Sequence, residues 1–250
     1  MPYRSALSYA LSSTIEPTAE QASALERFPR ASVAALGEAG LLGLTVSAHL
    51  GGGGLGLTEA AEIVAQVSRT CPATGAVLRS HYAAVALIEA YGTPWVRRRI
   101  ADGHHLSTLA LTDDDHGQGD TTAPAVSTGS SATNTGDVVA LRARKRDVVG
   151  AGEADSYVWS SRSADAEPAL WLVPADAPGL FVPARPNGTG PRGSATSTVC
   201  ADPVLVPASA RLGREGGSRD GVLTTVLDWL AALPATGATA ADPVGVEAVR

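Results

Sequence analysis

Lysine is nearly absent from this chain: of 19 basic residues only Lys145 is a lysine, and the rest are arginine. With the abundance of Ala, Gly, Thr and Val, this reads as a compositional bias and marks no site. Positive charge is also in deficit. The formal net charge is −6, which excludes the basic footprint that nucleic-acid binding requires. Cysteine is scarce: Cys71 and Cys200 lie far apart and form neither a CxxC nor a zinc spacing, so two buried free thiols are expected. No apolar run approaches about 20 residues, so no membrane span is expected. No basic stretch with an apolar core behind it opens the chain. A cytoplasmic protein is therefore expected, with the sequon Asn187-Gly188-Thr189 idle. HExxH, the Walker loop and GxSxG are missing as well, so a hydrolase would have to be assembled from unmarked residues.

What is present has an order. The 250 residues suffice for one large or two small domains and can bury roughly 70–75% of the unfolded surface. Residues 1–17 are rich in Ser and Ala and are expected to be a flexible arm. Residues 18–104 read as helical. Thr18 can cap a helix through Leu25 and Phe28, Pro29 can open the next, and Thr58 can cap "EAAEIVAQVSR". A longer helix closes at Gly92, and Thr93 with Pro94 starts a short one. Over residues 105–213 the period shortens into about seven β-rich runs broken by Gly, Pro, Asn and Asp. The expected class is α+β: a helical domain, then a small antiparallel sandwich or barrel, then one C-terminal helix. In residues 214–250 that helix carries Leu223, Val226, Leu227 and Leu230 on one stripe, followed by a flexible tail.

Three motifs invite chemical readings. "GGGGLG" at 51–56 satisfies G-x-G-x-x-G and leads into a helix. A dinucleotide fingerprint also needs an acidic residue about 20 positions on. None lies between Glu62 and Glu89, so a flexible glycine turn is preferred. "TDDDHGQGD" fails as a calcium loop, because Gly117 and Pro124 stand where its fifth and twelfth ligands belong. No metal site is expected. His104 and His105 are adjacent and on a strand would face opposite ways. His49 and His81 have no readable partner and are taken as structural.

Longer words carry a resemblance. "LGEAGLLGLTVSAHLGGGGLGLTEAAEIVAQVSR", "AYGTPWVRRRIADGHHLSTLALTD" and "GPRGSATSTVCADPVLVPASARLGREG" resemble, in this order, three stretches of the acyl-CoA dehydrogenases. They cover nearly residues 18–217. The resemblance implies a helical domain followed by a β-domain that together hold FAD. It places Thr112, Gly117, Gln118 and Val149 at the cofactor. Where members read T-E-P-x-x-G-S-D, this chain has "TDDDHGQGD", and Asp113 and Asp114 replace Glu and Pro. Where members carry W-I-T-N after a lysine, Asp147 takes the Trp place and Val149 the Thr place. Added negative charge is a poor neighbour for a pyrophosphate, and losing the hydroxyl costs about 1 kcal/mol. Members continue into a four-helix bundle that supplies the catalytic base and the main oligomer contact. A single candidate helix stands there in this chain, so none of those residues is carried over.

The expectation that follows is a repurposed, cofactor-independent acid/base enzyme of isomerase, dehydratase or cyclase type, acting on an acyl-thioester or polyketide-like substrate. His116, flanked by Asp113 and Asp115, is the candidate proton carrier, and Asp147 can join it. Two alternatives stand beside it. One is a non-catalytic partner subunit, a homodimer or hetero-oligomer joined through Leu223, Val226, Leu227 and Leu230. The other is a FAD-dependent acyl-CoA dehydrogenase completed by a partner chain.

Overall fold

The structure, a computed structural model, describes residues 3–113, 131–134, 136–163, 168–183, 190–213 and 219–235. The segment expected as a loose arm is helical. Helix α1 (Tyr3–Ala10) passes through one π turn (Leu11–Ile15) into α2 (Glu16–Ala24). Leu7, Ala10 and Ile15 are buried, while Ser5, Ser8, Ser12 and Ser13 are exposed. The apolar spacing is thus helical, and the serines are simply its wet face. Thr18 lies inside this run rather than capping it, and its hydroxyl donates to the Thr14 carbonyl at 2.7 Å.

Helix α3 (Arg30–Glu38) follows Pro29, as expected. Helix α4 (Leu57–Thr70) begins one residue before Thr58, and the Glu59 carboxylate accepts the Gly56 N–H at 3.0 Å in place of a threonine cap. The glycine turn before it is packed rather than loose. Gly53 N–H donates to the Gly43 carbonyl at 3.0 Å, and a Cβ on Gly53 would sit 2.6 Å from the Leu44 carbonyl oxygen. Helix α6 (Pro94–Ala101) starts as expected, with the Thr93 hydroxyl accepting the Val96 N–H.

Helix α5 (Pro72–Tyr91) is the axis of the molecule. From Ala73 to Ile88 nearly every residue is buried, whichever way it points. Such a helix needs partners on all sides. It finds α4 on one side and α7 (Arg219–Ala232) and strand β1 (Ser107–Ala110) on others. Polar side chains fix its angle. The Tyr82 hydroxyl donates to the Leu41 carbonyl at 2.8 Å, and Ser80 Oγ accepts the Leu109 N–H at 3.1 Å. His81 Nδ1 accepts the Ser107 N–H at 3.2 Å, so Nε2 carries the proton and donates to the Leu42 carbonyl at 3.0 Å.

The strands β2 (Ser131–Asn134), β3 (Val138–Val148), β4 (Ser156–Ser163), β5 (Pro168–Pro174), β6 (Leu180–Phe181), β7 (Ser197–Pro207) and β8 (Arg211–Leu212) form one mixed sheet with β1. Its order is β6-β7-β3-β2-β4-β5-β8, with β1 beside β4. Among the described residues this path is open at both ends, so the expected barrel does not close. One edge of β4 is shared, its first half by β1 and its end by β2, both parallel. The two wings that meet there bury a common core: Leu141, Val199 and Val204 from one, Tyr157, Trp159 and Trp171 from the other. Val158 and Leu170 point the other way, against α5, α6 and α7. This alternation gives β4 and β5 a strand-facing and a helix-facing side.

The leucine stripe of α7 divides. Val226 is fully buried within this chain and Leu230 partly so, held by Arg79, which donates to the carbonyls of Leu230 and Leu233. Only Leu223 (36% exposed) and Leu227 (52%) face outward. Cys71 and Cys200 are free and buried. Among the described residues no helix is long and apolar enough to cross a membrane.

Burial holds the His81 imidazole neutral, with its pKa lowered from 6.5 to about 4. The unfolded chain therefore binds the extra proton first as pH falls, and stability drops between pH 6.5 and about 4. Urea unfolding at pH 5 should give a protein about 2 kcal/mol less stable than at pH 7.5 on this account. In His81→Gln this part of the pH slope should vanish.

Candidate functional site

Strand β1 leaves β4 at Leu111, whose carbonyl accepts the Ser160 hydroxyl at 2.7 Å. The chain then crosses to β3. The Arg146 N–H donates to the Thr112 carbonyl at 2.9 Å, and a single bridge pairs Asp113 with Lys145. Lys145 occupies the inward-facing register of β3, in line with Val139, Leu141 and Ala143, and is 0% exposed. Its Nζ donates to Asp113 Oδ1 at 2.6 Å and to Ser160 Oγ at 2.7 Å, and lies 5.5 Å from the centroid of the Trp159 ring. A buried ammonium demands such partners.

The end of β3 meets a third segment. Asp147 adopts φ +55, and its carboxylate accepts Arg146 Nη1 at 3.0 Å while Arg146 Nε reaches the Asp113 carbonyl at 3.3 Å. Beyond half-buried Val149, the N–H groups of Gly150 and Ala151 donate to the carbonyls of Ser194 and Ala195 at 3.0 and 2.9 Å. Ser194 and Thr196 share a hydroxyl hydrogen bond of 2.6 Å. Ser197, opposite Val148 in register, has a buried hydroxyl with no hydrogen-bond partner among the described residues.

Thr112, Asp113, Asp147 and Val149 are thus brought together with the "GPRGS" loop. Asp114, Asp115, His116, Gly117 and Gln118 lie outside the described residues. Neither described aspartate stands as a bare charge: Asp113 is bound to an ammonium and Asp147 to a guanidinium. The proton-transfer role expected of Asp113 conflicts with its engagement by buried Lys145. Lys145, the single lysine, is thus a structural centre rather than a mark of composition. Its signal was a charged residue on the inward register of an alternating strand. His104 and His105 do share a surface, in a cleft at the other end of β1 and β4. Among the described residues no group of His, Cys, Asp and Glu is arranged to hold a metal ion.

Residues 3–103 match the family described as the acyl-CoA dehydrogenase N-terminal domain. The chain is 29% identical over 210 residues to the mitochondrial short-chain specific acyl-CoA dehydrogenase of Homo sapiens, covering 80% of this chain and 50% of the relative. It is 27% identical over 221 residues to the benzylmalonyl-CoA dehydrogenase of Aromatoleum aromaticum, covering 85% and 57%. In fold it is similar to FMN-bound TdsC from Paenibacillus sp. A11-2, with a TM-score of 0.74 at 19% identity over 91% of this chain and 60% of that one. The chain spans about half the length of the curated relatives it matches. The expectation of a protein without cofactor is corrected here: dehydrogenase relatives and a flavin-bound neighbour point to flavin.

The residues present fit such a group. The Thr112 side chain is exposed, Val149 offers an apolar contact, and the orphaned Ser197 hydroxyl is a buried polar atom still to be satisfied. The charge objection raised by the aspartates is met by Lys145 and Arg146.

Removing one partner of a buried pair costs more than replacing the pair. Asp113→Ala, which leaves the Lys145 ammonium short of its carboxylate, should destabilise the protein by about 3 kcal/mol in urea. Lys145→Met should cost clearly less, because Asp113 retains access to water.

Proposed function

We propose that this chain is an acyl-CoA dehydrogenase-like protein that holds a flavin beside the end of β3 and serves the oxidation of an acyl thioester. What supports this reading is one juxtaposition: residues 112–113 pair with 145–146 on β3, and 150–151, just past the end of the same strand, pair with 194–195, while Ser197 pairs with Val148 between them. Thr112, Val149 and Ser197 would hold the group, together with Gly117 and Gln118, which lie outside the described residues. When bound, a flavin supplies a two-electron acceptor.

The chain's own residues have definite tasks in this reading. Lys145 neutralises Asp113, so the stretch entering the site presents backbone and hydroxyl rather than charge. Arg146 does the same for Asp147. Trp159, paired in register with Trp171 and fully buried, lies against the Lys145 ammonium on the inner side of the sheet. His116, Asp115 and Asp147 remain candidates for moving protons. The exposed Leu223 and Leu227 of α7 support a second element of the reading, that further polypeptide covers this helix and completes the site.

Titration of the purified full chain with FAD and with FMN, followed by flavin fluorescence and the visible spectrum, tests this. One flavin should bind per chain. If neither binds at any attainable concentration, the reading is wrong. Val149→Thr restores a hydroxyl worth about 1 kcal/mol and should tighten flavin binding about fivefold.

A further inference from the structure

At the opposite end of β1 and β4 lies a cleft of about 1020 Å³, a volume typical of small-molecule sites. One wall is the turn between α5 and α6, where Trp95 is 66% and Tyr91 40% exposed. The other is the strand side, with Leu172 and Leu212. These aromatic faces offer the cleft a broad apolar contact surface. The polar floor is hydrogen-bonded. His105 Nε2 bonds to Ser156 Oγ at 2.9 Å, and Ser156 Oγ to Ser107 Oγ at 2.8 Å, both serines being buried. No described residue hydrogen-bonds His105 Nδ1.

Charges of both signs flank this imidazole. Asp155 is fixed by accepting the Leu106 N–H at 2.7 Å, and Arg99 by donating to the His104 carbonyl at 3.2 Å. Arg99, Asp155 and His105 all line the cleft, and burial lowers the proton affinity of the His105 ring. A simple anion would meet Asp155 and, at the rim, exposed Asp176, and a simple cation would meet Arg99. A molecule bearing both charges satisfies each at once.

We propose that this cleft is a second small-molecule site, taking a zwitterion with an aromatic body, the chemistry of an aromatic α-amino acid. Its ring lies against Trp95 and Tyr91, its carboxylate meets Arg99, and its ammonium meets Asp155 and His105 Nδ1. The site stands apart from the flavin reading. Ser107 and Thr112 are separated by five residues of extended chain, about 17 Å.

The test is calorimetry on the full chain with three probes: L-phenylalanine, phenethylamine and 3-phenylpropionate. L-Phenylalanine should bind saturably with a Kd below about 1 mM, and each singly charged analogue at least about tenfold more weakly. Trp95→Ala and Arg99→Ala change side chains at the surface, and thermal melts should show both folded. Each should weaken L-phenylalanine at least about tenfold. Absence of saturable heat with L-phenylalanine, equal affinity for all three probes, or unchanged binding in both folded variants would overturn the proposal. Flavin titration of the same samples is read separately, so failure of either reading leaves the other standing.

Discussion

A helix buried on every side needs its polar groups satisfied in the dry interior, and the imidazole of His81 is satisfied at both ring nitrogens. It stands midway along α5, accepting from the backbone of β1 and donating to the loop that follows α3. Both bonds require the neutral ring in a single tautomer. One side chain thereby links the helical layer, its buried axis and the first strand of the sheet. The start of β1 fixes where Thr112 and Asp113 emerge, so the geometry of the candidate flavin site is inherited from this interior contact. The cleft at the other end of β1 inherits its floor from Ser107, the residue that His81 holds.

A second constraint is electrostatic. Burying an ammonium on the inward register of β3 is tolerable only with a carboxylate and a hydroxyl in reach, and those come from Asp113 and Ser160. The consequence runs outward. Asp113 cannot be understood as added negative charge, because its partner lies beneath it. Asp147 is answered in the same way by its neighbour Arg146.

Much of the architecture was legible in the sequence because it is written locally. Thr93-Pro94 marks a helix start, and the change from helical to alternating period near residue 105 marks the sheet. The serine-rich start misled, because composition was weighed there before the spacing of Leu7, Ala10 and Ile15. The α7 stripe was read as one face. Packing against α5 rotates Val226 and Leu230 inward and leaves Leu223 and Leu227 outside, which no reading of a single helix could reveal. The candidate flavin residues were found through resemblance to a family, whereas Lys145 was in plain view and discounted. The cleft is out of reach of sequence reasoning, since its walls come from Tyr91 and Trp95 on one side and from Leu172 and Leu212, far along the chain, on the other.

The cofactor question turns on the same local pairing. Comparing a sequence with a family pattern position by position assigns each substitution the energy it would have in isolation. A carboxylate in place of a ring then counts as a desolvated charge, at a cost of several kcal/mol. In the folded chain that carboxylate is paired and part-exposed, so the penalty falls to the scale of a surface ion pair, about 1 kcal/mol or less. The substitution of Thr by Val at position 149 keeps its full cost, for no neighbouring group replaces a missing hydroxyl there merely by carrying charge. Of the departures from the family pattern at described positions, Asp113 and Asp147 carry their own counter-charges, and Val149 is the one whose cost the proposed flavin site would feel.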